Sequence, residues 1–219
     1  MLSRKIRMSE IDDGVIKYDT SGFTLSSPLG QQEYEDLEKW RHQLYQLKLI
    51  GEYLPEKIGY GNLSLKMDYS NFHQTNHSQF VITGTQTGGR EHLDGKYYTR
   101  VLDYNFKNWS IKAMGPLQAS SEALTHAAIY EADSQNIKCV FHIHNKEIWK
   151  GMIDQQYDST PEDVPYGTEE MAKAVQSSIG NKTSGIIVMK GHEDGVISYG
   201  KTMQEAADLI LEVHTKFCK

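Results

Sequence analysis

Four short segments in the middle of the chain are rich in residues that favour β-strands, and helical patterns lie on both sides of them. The segments are NLSLKMD, QFVITGT, YYTRVLDYN and NWSIKAMG, with Gly, Asn and Asp residues between them. Such spacing is typical of successive strands. Before them, QQEYEDLEKWRHQLYQLKLIG places apolar side chains at three- and four-residue steps and ends at a glycine, which predicts an amphipathic helix. A chain with this order is expected to build a sheet and to cover it with helices.

The second half of the chain adds further helices and strands. SSEALTHAAIYEA predicts a helix opened by serines, IKCVFHIH a strand, KEIWKGMI and GTEEMAKAVQSSIG helices, GIIVMK and GVISYG strands, and TMQEAADLILEVHTKF a final helix. The fold class is therefore α/β (α+β-like): a single domain with a three-layer α/β/α sandwich and a central mixed, mainly antiparallel sheet. We place this domain at residues 31–219 and interpret the weakly patterned residues 1–30 as an N-terminal extension.

The composition narrows the possible partners. The 219 residues carry a formal net charge of -6 with Lys and Arg dispersed, which argues against binding to nucleic acid or to an anionic membrane. A small solute or another protein is then the better candidate for a partner. No segment reaches the apolar length of a membrane span, so we expect a soluble, cytoplasmic protein. The two cysteines, Cys139 and Cys218, argue against a disulfide framework and fit a reducing compartment.

Two histidines, His142 and His144, stand one residue apart in the apolar run CVFHIH. In a strand, alternate side chains point to the same face, so both imidazoles could bind one metal ion. The alternative is that one histidine faces solvent and the other makes a structural hydrogen bond. Taken by itself, an H-x-H pair leaves both interpretations open.

Four further segments accompany this pair in a fixed order, namely GNLS, TGTQTGG, SSEALTHAAIY and GHEDGVISYG. Together with H-x-H they resemble the class II aldolase/adducin family over residues 33–215. No single motif is specific, but their ordered combination is. The resemblance implies a divalent metal ion, Zn²⁺ or alternatively Mn²⁺, Co²⁺ or Fe²⁺, held by His142, His144 and His192. It also implies Glu122 as the catalytic acid/base and a phosphate cradle formed by Asn62, Thr83, Gly84, Thr85, Thr87, Gly88, Ser120 and Ser121.

Elementary chemistry agrees with these roles, although each motif has a simpler explanation. Ser120, Ser121 and the amides at the start of the following helix could bind an anion, or a serine could serve only as the helix cap. The segments GNLS and TGTQTGG could be turns. A carboxylate beside a metal, such as Glu122, can remove a proton next to a metal-bound carbonyl. His126 lies one helical turn further on, where it could orient Glu122 or simply belong to the core.

The sequence departs from the family pattern in three places. Asn145 and Glu147 follow the H-x-H pair, which changes one wall of the expected site. The third ligand usually directly precedes a glycine, whereas GHEDG leaves His192 and Asp194 as alternatives; we favour His192 because imidazole suits zinc. The aldolases continue into a tail with a tyrosine that helps to protonate the aldehyde, and here Tyr199, Tyr130 or a neighbouring subunit's tyrosine could replace it.

We therefore expect an enzyme of carbohydrate metabolism, a metal-dependent aldolase-type lyase that cleaves or forms a C–C bond in a small, phosphorylated ketose through a metal-stabilised enediolate. Alternatives are a dehydratase or epimerase of a sugar phosphate and a non-catalytic, adducin-like interaction module. Glu at position 122 resembles the aldolases and dehydratases more than the epimerases. The resemblance also implies a homotetramer. The chain itself offers Tyr18 and Phe23, or the aromatic residues of YYTRVLDYNFKNW, as candidates to cover a neighbour's site, unless these aromatics line their own core.

Overall fold

The computed structural model describes residues 14–218 and contains ten strands and five α-helices within them. The strands are β1 (Asp19–Leu25), β2 (Gly51–Tyr53), β3 (Ile58–Tyr60), β4 (Asn62–Lys66), β5 (Phe80–Thr83), β6 (Tyr98–Asn105), β7 (Ser110–Gly115), β8 (Cys139–His144), β9 (Gly185–Val188) and β10 (Gly195–Gly200). The helices are α1 (Gln31–Gln46), α2 (Ala123–Ala132), α3 (Lys146–Asp154), α4 (Glu169–Ile179) and α5 (Met203–Phe217).

Eight of the described strands form one central sheet in the order β1-β7-β6-β5-β4-β8-β10-β9. β1 runs parallel to β7, and the other neighbours in this sheet are antiparallel. Strands β2 and β3 form a separate hairpin. The structure confirms the predicted single α/β domain with a mixed, mainly antiparallel sheet, and every strand and helix predicted from the sequence is present.

Helices cover both faces of the sheet. α1, α3 and α5 contribute residues such as Leu37, Ile148 and Ile210 to one buried cluster, and α2 and α4 contribute Ala127 and Val175 to the other. Strand β8 supplies both clusters, because its side chains alternate between the two faces. The histidines of H-x-H therefore share the face that α2 and α4 cover.

Strand β1 lies within the segment interpreted as an N-terminal extension and was not predicted. Its sequence DTSGFTL lacks regular apolar alternation, because most of its side chains are exposed or half-buried at the edge of the sheet. Gly22 lies so close to β7 that an added Cβ would be 2.5 Å from the carbonyl oxygen of Ile111. The strand thus depends on backbone pairing that side-chain patterning does not reveal.

The start of helix α2 does not support the alternative that a serine serves as its cap. The N-cap residue is Glu122, and its side chain makes no capping hydrogen bond. Ser120 instead closes the preceding turn: its Oγ accepts a hydrogen bond from the Glu122 N–H at 3.3 Å, and its carbonyl accepts one from the Ala123 N–H at 3.0 Å. These two amides are therefore used within the turn rather than directed at an anion.

The aromatic residues considered as cover for a neighbouring site pack within their own domain. Tyr18, Tyr98 and Tyr104 are buried, and Phe23, Tyr97, Phe106 and Trp109 pack against the two core clusters. The hydroxyl of Tyr18 donates to the carbonyl oxygens of Ala119 and Ser120 at 2.9 and 3.1 Å. These aromatics consequently line the core and attach the N-terminal segment to the turn before α2.

Neither a membrane-spanning helix nor a disulfide occurs within residues 14–218. Between residues 14 and 218, no helix combines the length and apolarity that a membrane span requires. Cys139 and Cys218 are both free thiols, the former buried in strand β8. No disulfide therefore links the two cysteines.

Candidate active site

A cleft lies where strands β4 and β8 meet the turn before α2 and the loop between β9 and β10. In the register of the two strands, Asn62 is the partner of His142. The cleft encloses about 370 Å³, including the open space at its mouth. All predicted site residues except Thr83 line it: Asn62, Gly84, Thr85, Thr87, Gly88, Ser120, Ser121, Glu122, His142, His144 and His192.

The three histidines converge at the bottom of this cleft. His142, His144 and His192 are 1%, 4% and 5% exposed. One potential ligand atom from each lies within 4.8 Å of those from the other two. The ring centroids are 4.8 Å apart for His142 and His144, 5.2 Å for His142 and His192, and 4.6 Å for His144 and His192. Three imidazoles at these separations can surround one metal ion.

The loop between β9 and β10 brings His192, rather than Asp194, to the other two histidines. Backbone hydrogen bonds from His192 to Met189 and from Gly195 to His192, both 3.0 Å, form a compact turn. The Tyr166 ring stacks on the imidazole of His192 with centroids 4.5 Å apart. Asp194 adopts a positive φ of 68°, and its carbonyl accepts a hydrogen bond from Asn145 N–H. The geometry therefore favours His192 of the two alternatives.

Glu122 projects its carboxylate into the same group. The carboxylate contacts Nδ1 of His142, and its Oε1 lies 3.6 Å from Nδ1 of His192. Burial raises the pKa of this carboxyl, but the neighbouring imidazoles, above all that of His142, outweigh burial and lower the pKa to about 2. An ionised carboxylate thus stands beside the three imidazoles.

The residues present fit a divalent metal ion. Nε2 of His142 is buried and has no hydrogen-bond partner among the described residues, which is unusual for a buried polar atom. Burial, together with His192 and His142, lowers the pKa of His144 well below its usual range. That imidazole is therefore neutral, as metal binding requires. An all-nitrogen set of this kind suits Zn²⁺ and similar transition metals.

A second group of potential ligands lies nearer the surface and is a poorer candidate. It consists of Glu38 and His42 on α1 with His92. The Glu38 carboxylate is already engaged, because it pairs with Arg41 at 2.7 Å and accepts a hydrogen bond from the Tyr98 hydroxyl at 2.7 Å. The His42 and His92 rings stack with centroids 4.2 Å apart. The buried triad is the better metal site.

The polar groups expected to bind phosphate form one wall of the cleft. The side-chain amide of Asn62 lies 3.2 Å from Nδ1 of His142, and its Oδ1 is buried without a hydrogen-bond partner among the described residues. Ser120 and Ser121 are 5% and 6% exposed. Gly88 must be a glycine, since an added Cβ would lie 2.3 Å from the carbonyl oxygen of Gly51. This wall is polar and uncharged.

Residues 48–217 match the family model described as Class II Aldolase and Adducin N-terminal domain. The chain belongs to this family. The match spans α2, the H-x-H strand β8 and the His192 loop, so the site lies within the shared domain. A comparison with curated protein sequences found no significant match.

Solved structures of aldolases share the fold of this family member. An L-fuculose 1-phosphate aldolase is 15% identical with a TM-score of 0.62, covering 86% of this chain and 84% of that chain. A sugar-phosphate aldolase from Thermotoga maritima is 17% identical with a TM-score of 0.60, covering 84% and 91%. An L-fuculose-1-phosphate aldolase from Thermus thermophilus is 16% identical with a TM-score of 0.56, covering 85% and 91%. At these identities the likeness establishes the fold alone.

One predicted phosphate ligand lies behind the cleft instead of lining it. Thr83 is 2% exposed, and its hydroxyl accepts a hydrogen bond from the Leu63 N–H at 3.3 Å. The hydroxyl of Thr87 donates to the carbonyl of Gly84 at 2.8 Å and so shapes the loop. Both threonines hold backbone in place, and their role in phosphate binding stays a prediction.

Gln86, within the segment Thr83 to Gly88, also lines the cleft, and several cleft residues were missed by the sequence analysis, namely Gly14, Gly59, Tyr60, Gly61 and Tyr166. Tyr60 and Gly61 adjoin or belong to the quoted motifs, so their proximity was a usable signal. Tyr166 comes from the segment before α4, where no pattern marks it. The alternatives for a catalytic tyrosine, Tyr130 and Tyr199, do not line the cleft.

His126 is a core residue rather than a wall of the cleft. Its Nδ1 lies 2.7 Å from Ser64 Oγ, which in turn lies 2.8 Å from the Tyr130 hydroxyl. Burial lowers the pKa of His126 to about 3. Of the two alternatives left by the sequence, the geometry favours the buried, hydrogen-bonded histidine.

Proposed function

We propose that the protein is a metal-dependent aldolase-type lyase that cleaves or forms a C–C bond in a small, phosphorylated ketose. The observation that carries this proposal is the convergence of Glu122 with His142, His144 and His192 in one cleft. Family membership supports it, because the fold is shared with aldolases. The three histidines would hold a divalent ion such as Zn²⁺.

The proposed roles of the residues follow from their chemistry. A bound divalent ion supplies Lewis acidity, which makes a proton beside a carbonyl easier to remove. Glu122 is ionised and buried, so it can accept that proton and return it to the product. Asn62, Ser120 and Ser121 would hold the phosphate with neutral hydrogen-bonding groups, and the buried acceptor and hydroxyls of this wall orient the substrate.

A dehydratase or epimerase acting on a sugar phosphate is the second candidate, since dehydration of a ketose phosphate would use the same enolate chemistry, with Glu122 removing the proton beside the carbonyl. A non-catalytic interaction module is the alternative from another class. Burying polar histidines next to an ionised glutamate lowers the stability of a fold, and a non-catalytic module gains nothing from such a cluster. The site therefore favours an enzyme over a module.

The test is turnover of ketose phosphates and of the matching ketoses by the wild type and by Glu122→Gln. Gln keeps the shape of Glu but cannot accept the proton, so turnover should fall roughly 10²- to 10⁴-fold. Metal content should stay unchanged. Glu212→Gln, at an exposed position on α5, is the matched control and should retain wild-type turnover. Unchanged turnover in Glu122→Gln would remove this residue from the mechanism, and no turnover of any ketose by the wild type would favour the module.

A further inference from the structure

Tyr166, from the segment before α4, lies against the third histidine of the triad. Its side chain is 6% exposed, and its ring stacks on the His192 imidazole with an interplanar angle of 25° and centroids 4.5 Å apart. The backbone of the same segment also approaches the loop that carries His192, because a Cβ added to Gly191 would collide with the carbonyl of Val164. The segment before α4 therefore packs directly on this loop.

Of the three histidines, His192 receives the least support from the sheet. His142 and His144 belong to strand β8, which pairs with β4 on one side and with β10 on the other. His192 lies in the turn between β9 and β10. A side chain on a loop is held less precisely than one on a central strand, so packing against its ring contributes more to its orientation.

The N-terminal segment 14–18 in turn holds Tyr166. The Val15 N–H donates to the Tyr166 hydroxyl at 3.3 Å, and the Lys17 ammonium donates to the Tyr166 carbonyl oxygen at 3.2 Å. The same ammonium lies 3.8 Å from the centroid of the Tyr166 ring, a distance at which the ring attracts a cation. Tyr18 attaches this segment to the turn before α2. Tyr166 is thus fixed through its hydroxyl, its ring and its backbone.

The segment 14–18 also borders the cleft itself. Gly14 is one of the lining residues, and a Cβ added there would collide with the Gln86 side chain. The segment therefore contacts the glycine-rich loop, the turn before α2 and Tyr166, which are three parts of the cleft. It precedes the region that matches the family model, so this support is an addition to the shared domain.

We propose that Tyr166 is a positioning residue, held by the segment 14–18, whose ring fixes the His192 imidazole in the orientation that metal binding needs. This inference rests on the proposed function, since it requires a metal ion at the triad. Residues that orient a metal-binding histidine commonly change metal affinity. Its consequence is that Zn²⁺ affinity depends on the aromatic ring at position 166 and on the ammonium of Lys17.

The experiment measures the dissociation constant for Zn²⁺ by competition with a chromophoric chelator. Tyr166→Leu removes the ring and should bind Zn²⁺ roughly 10- to 100-fold more weakly than the wild type. Tyr166→Phe keeps the ring and should bind nearly as tightly as the wild type. Tyr157→Leu is the matched control and should bind like the wild type, because Tyr157 also has a lysine near its ring, that of Lys216 at 5.3 Å, but packs on Phe217 and does not line the cleft.

Lys17→Met tests the part played by the N-terminal segment. It removes one hydrogen bond and one cation–π contact and should weaken Zn²⁺ binding roughly 2- to 5-fold. Lys216→Met removes the comparable ammonium near Tyr157 and should leave the affinity unchanged. Lys17 is a half-buried side chain outside the core clusters, so this comparison decides the proposal even if Tyr166→Leu does not fold.

The visible absorption spectrum of bound Co²⁺ provides a second readout, because it reports the geometry of the metal ligands. Tyr166→Leu should change this spectrum and Tyr157→Leu should not, although both variants lose aromatic packing. Wild-type affinity in Tyr166→Leu or in Lys17→Met would overturn the proposal, as would a loss in Tyr166→Phe as large as that in Tyr166→Leu.

His192→Ala distinguishes a failure of this proposal from a failure of the proposed function. If His192→Ala binds Zn²⁺ much more weakly while Tyr166→Leu binds like the wild type, the positioning role is wrong and the metal site stands. If His192→Ala binds Zn²⁺ as tightly as the wild type, the metal site itself is wrong, and the proposed function fails with it.

Discussion

Glu122 occupies the N-cap position of α2, where Ser, Thr, Asp or Asn would normally cap the helix with a side-chain hydrogen bond. Its carboxylate makes no such bond and is directed towards His142 and His192 instead. The chain therefore gives up a local stabilising interaction at the residue that the proposed chemistry needs most. This conflict between local preference and site geometry is typical of functional positions.

The buried imidazole of His126 predicts how the stability of the protein depends on pH. Its pKa is lowered to about 3 in the folded protein, because burial disfavours the charged form, so the unfolded chain binds more protons below the ordinary histidine pKa. Stability should therefore fall as the pH falls from about 6.5 towards 3. Between pH 7 and pH 5 this residue should account for a loss on the order of 2 kcal/mol in the free energy of unfolding.

Urea denaturation at pH 7 and pH 5 checks this expectation. His126→Gln keeps a polar group near Ser64 but cannot gain a charge, so its stability should depend less on pH than that of the wild type. His92→Gln, at a side chain that is 71% exposed, is the control and should keep the wild-type dependence. An unchanged pH dependence in His126→Gln would contradict the prediction.

Most of the site residues could be found from the sequence, but their supporting side chains could not. The H-x-H pair follows from strand alternation, and His192 follows from the order of the motifs. Tyr53 reaches His144 across 91 positions of the chain, and Tyr166 stacks on His192 from a segment with no repeating pattern. Such contacts depend on tertiary packing, which no spacing within the sequence encodes.

Most of the helices and strands could be predicted from the sequence, but some strands could not. Helix α1 was predictable because its apolar side chains recur at three- and four-residue steps. Strands β4 to β8 were predictable because they are short runs of β-favouring residues, although β5 and β8 are buried at every position and show no alternation. Strand β1 was missed because its edge position leaves its side chains largely exposed, and β2 and β3 were missed because three residues are too few to show a period. The alternative that a serine caps α2 does not hold, because Ser120 stabilises the turn before the helix.

The N-terminal cap of helix α5 predicts how much one hydrogen bond contributes to stability. Its N-cap is Thr202, whose Oγ1 accepts a hydrogen bond from the Glu205 N–H at 3.2 Å. Thr202→Ala removes this bond at the start of a helix that packs on the sheet, so the free energy of unfolding should fall by about 1 kcal/mol. Urea denaturation measures the change. A variant as stable as the wild type would show that the cap contributes nothing.

At the scale of the whole molecule, we expect a homotetramer. The resemblance to the family's aldolases motivates this expectation, and two large apolar side chains, Leu25 and Leu54, are 75% and 72% exposed. Contacts between subunits would remove such side chains from water. Sedimentation at micromolar concentration should show a species near four times the chain mass of 24.9 kDa. A fully active species of one chain mass would contradict the expectation.

The central claim is that His142, His144 and His192 hold a divalent metal ion, and the metal content of purified protein tests it most directly. Elemental analysis should find close to one Zn²⁺ or similar ion per chain in the wild type and almost none in the double variant His142→Ala, His144→Ala. The matched double variant His42→Ala, His92→Ala removes two histidines from the surface group and should keep the wild-type metal content. Full metal occupancy in the His142, His144 variant would contradict the account.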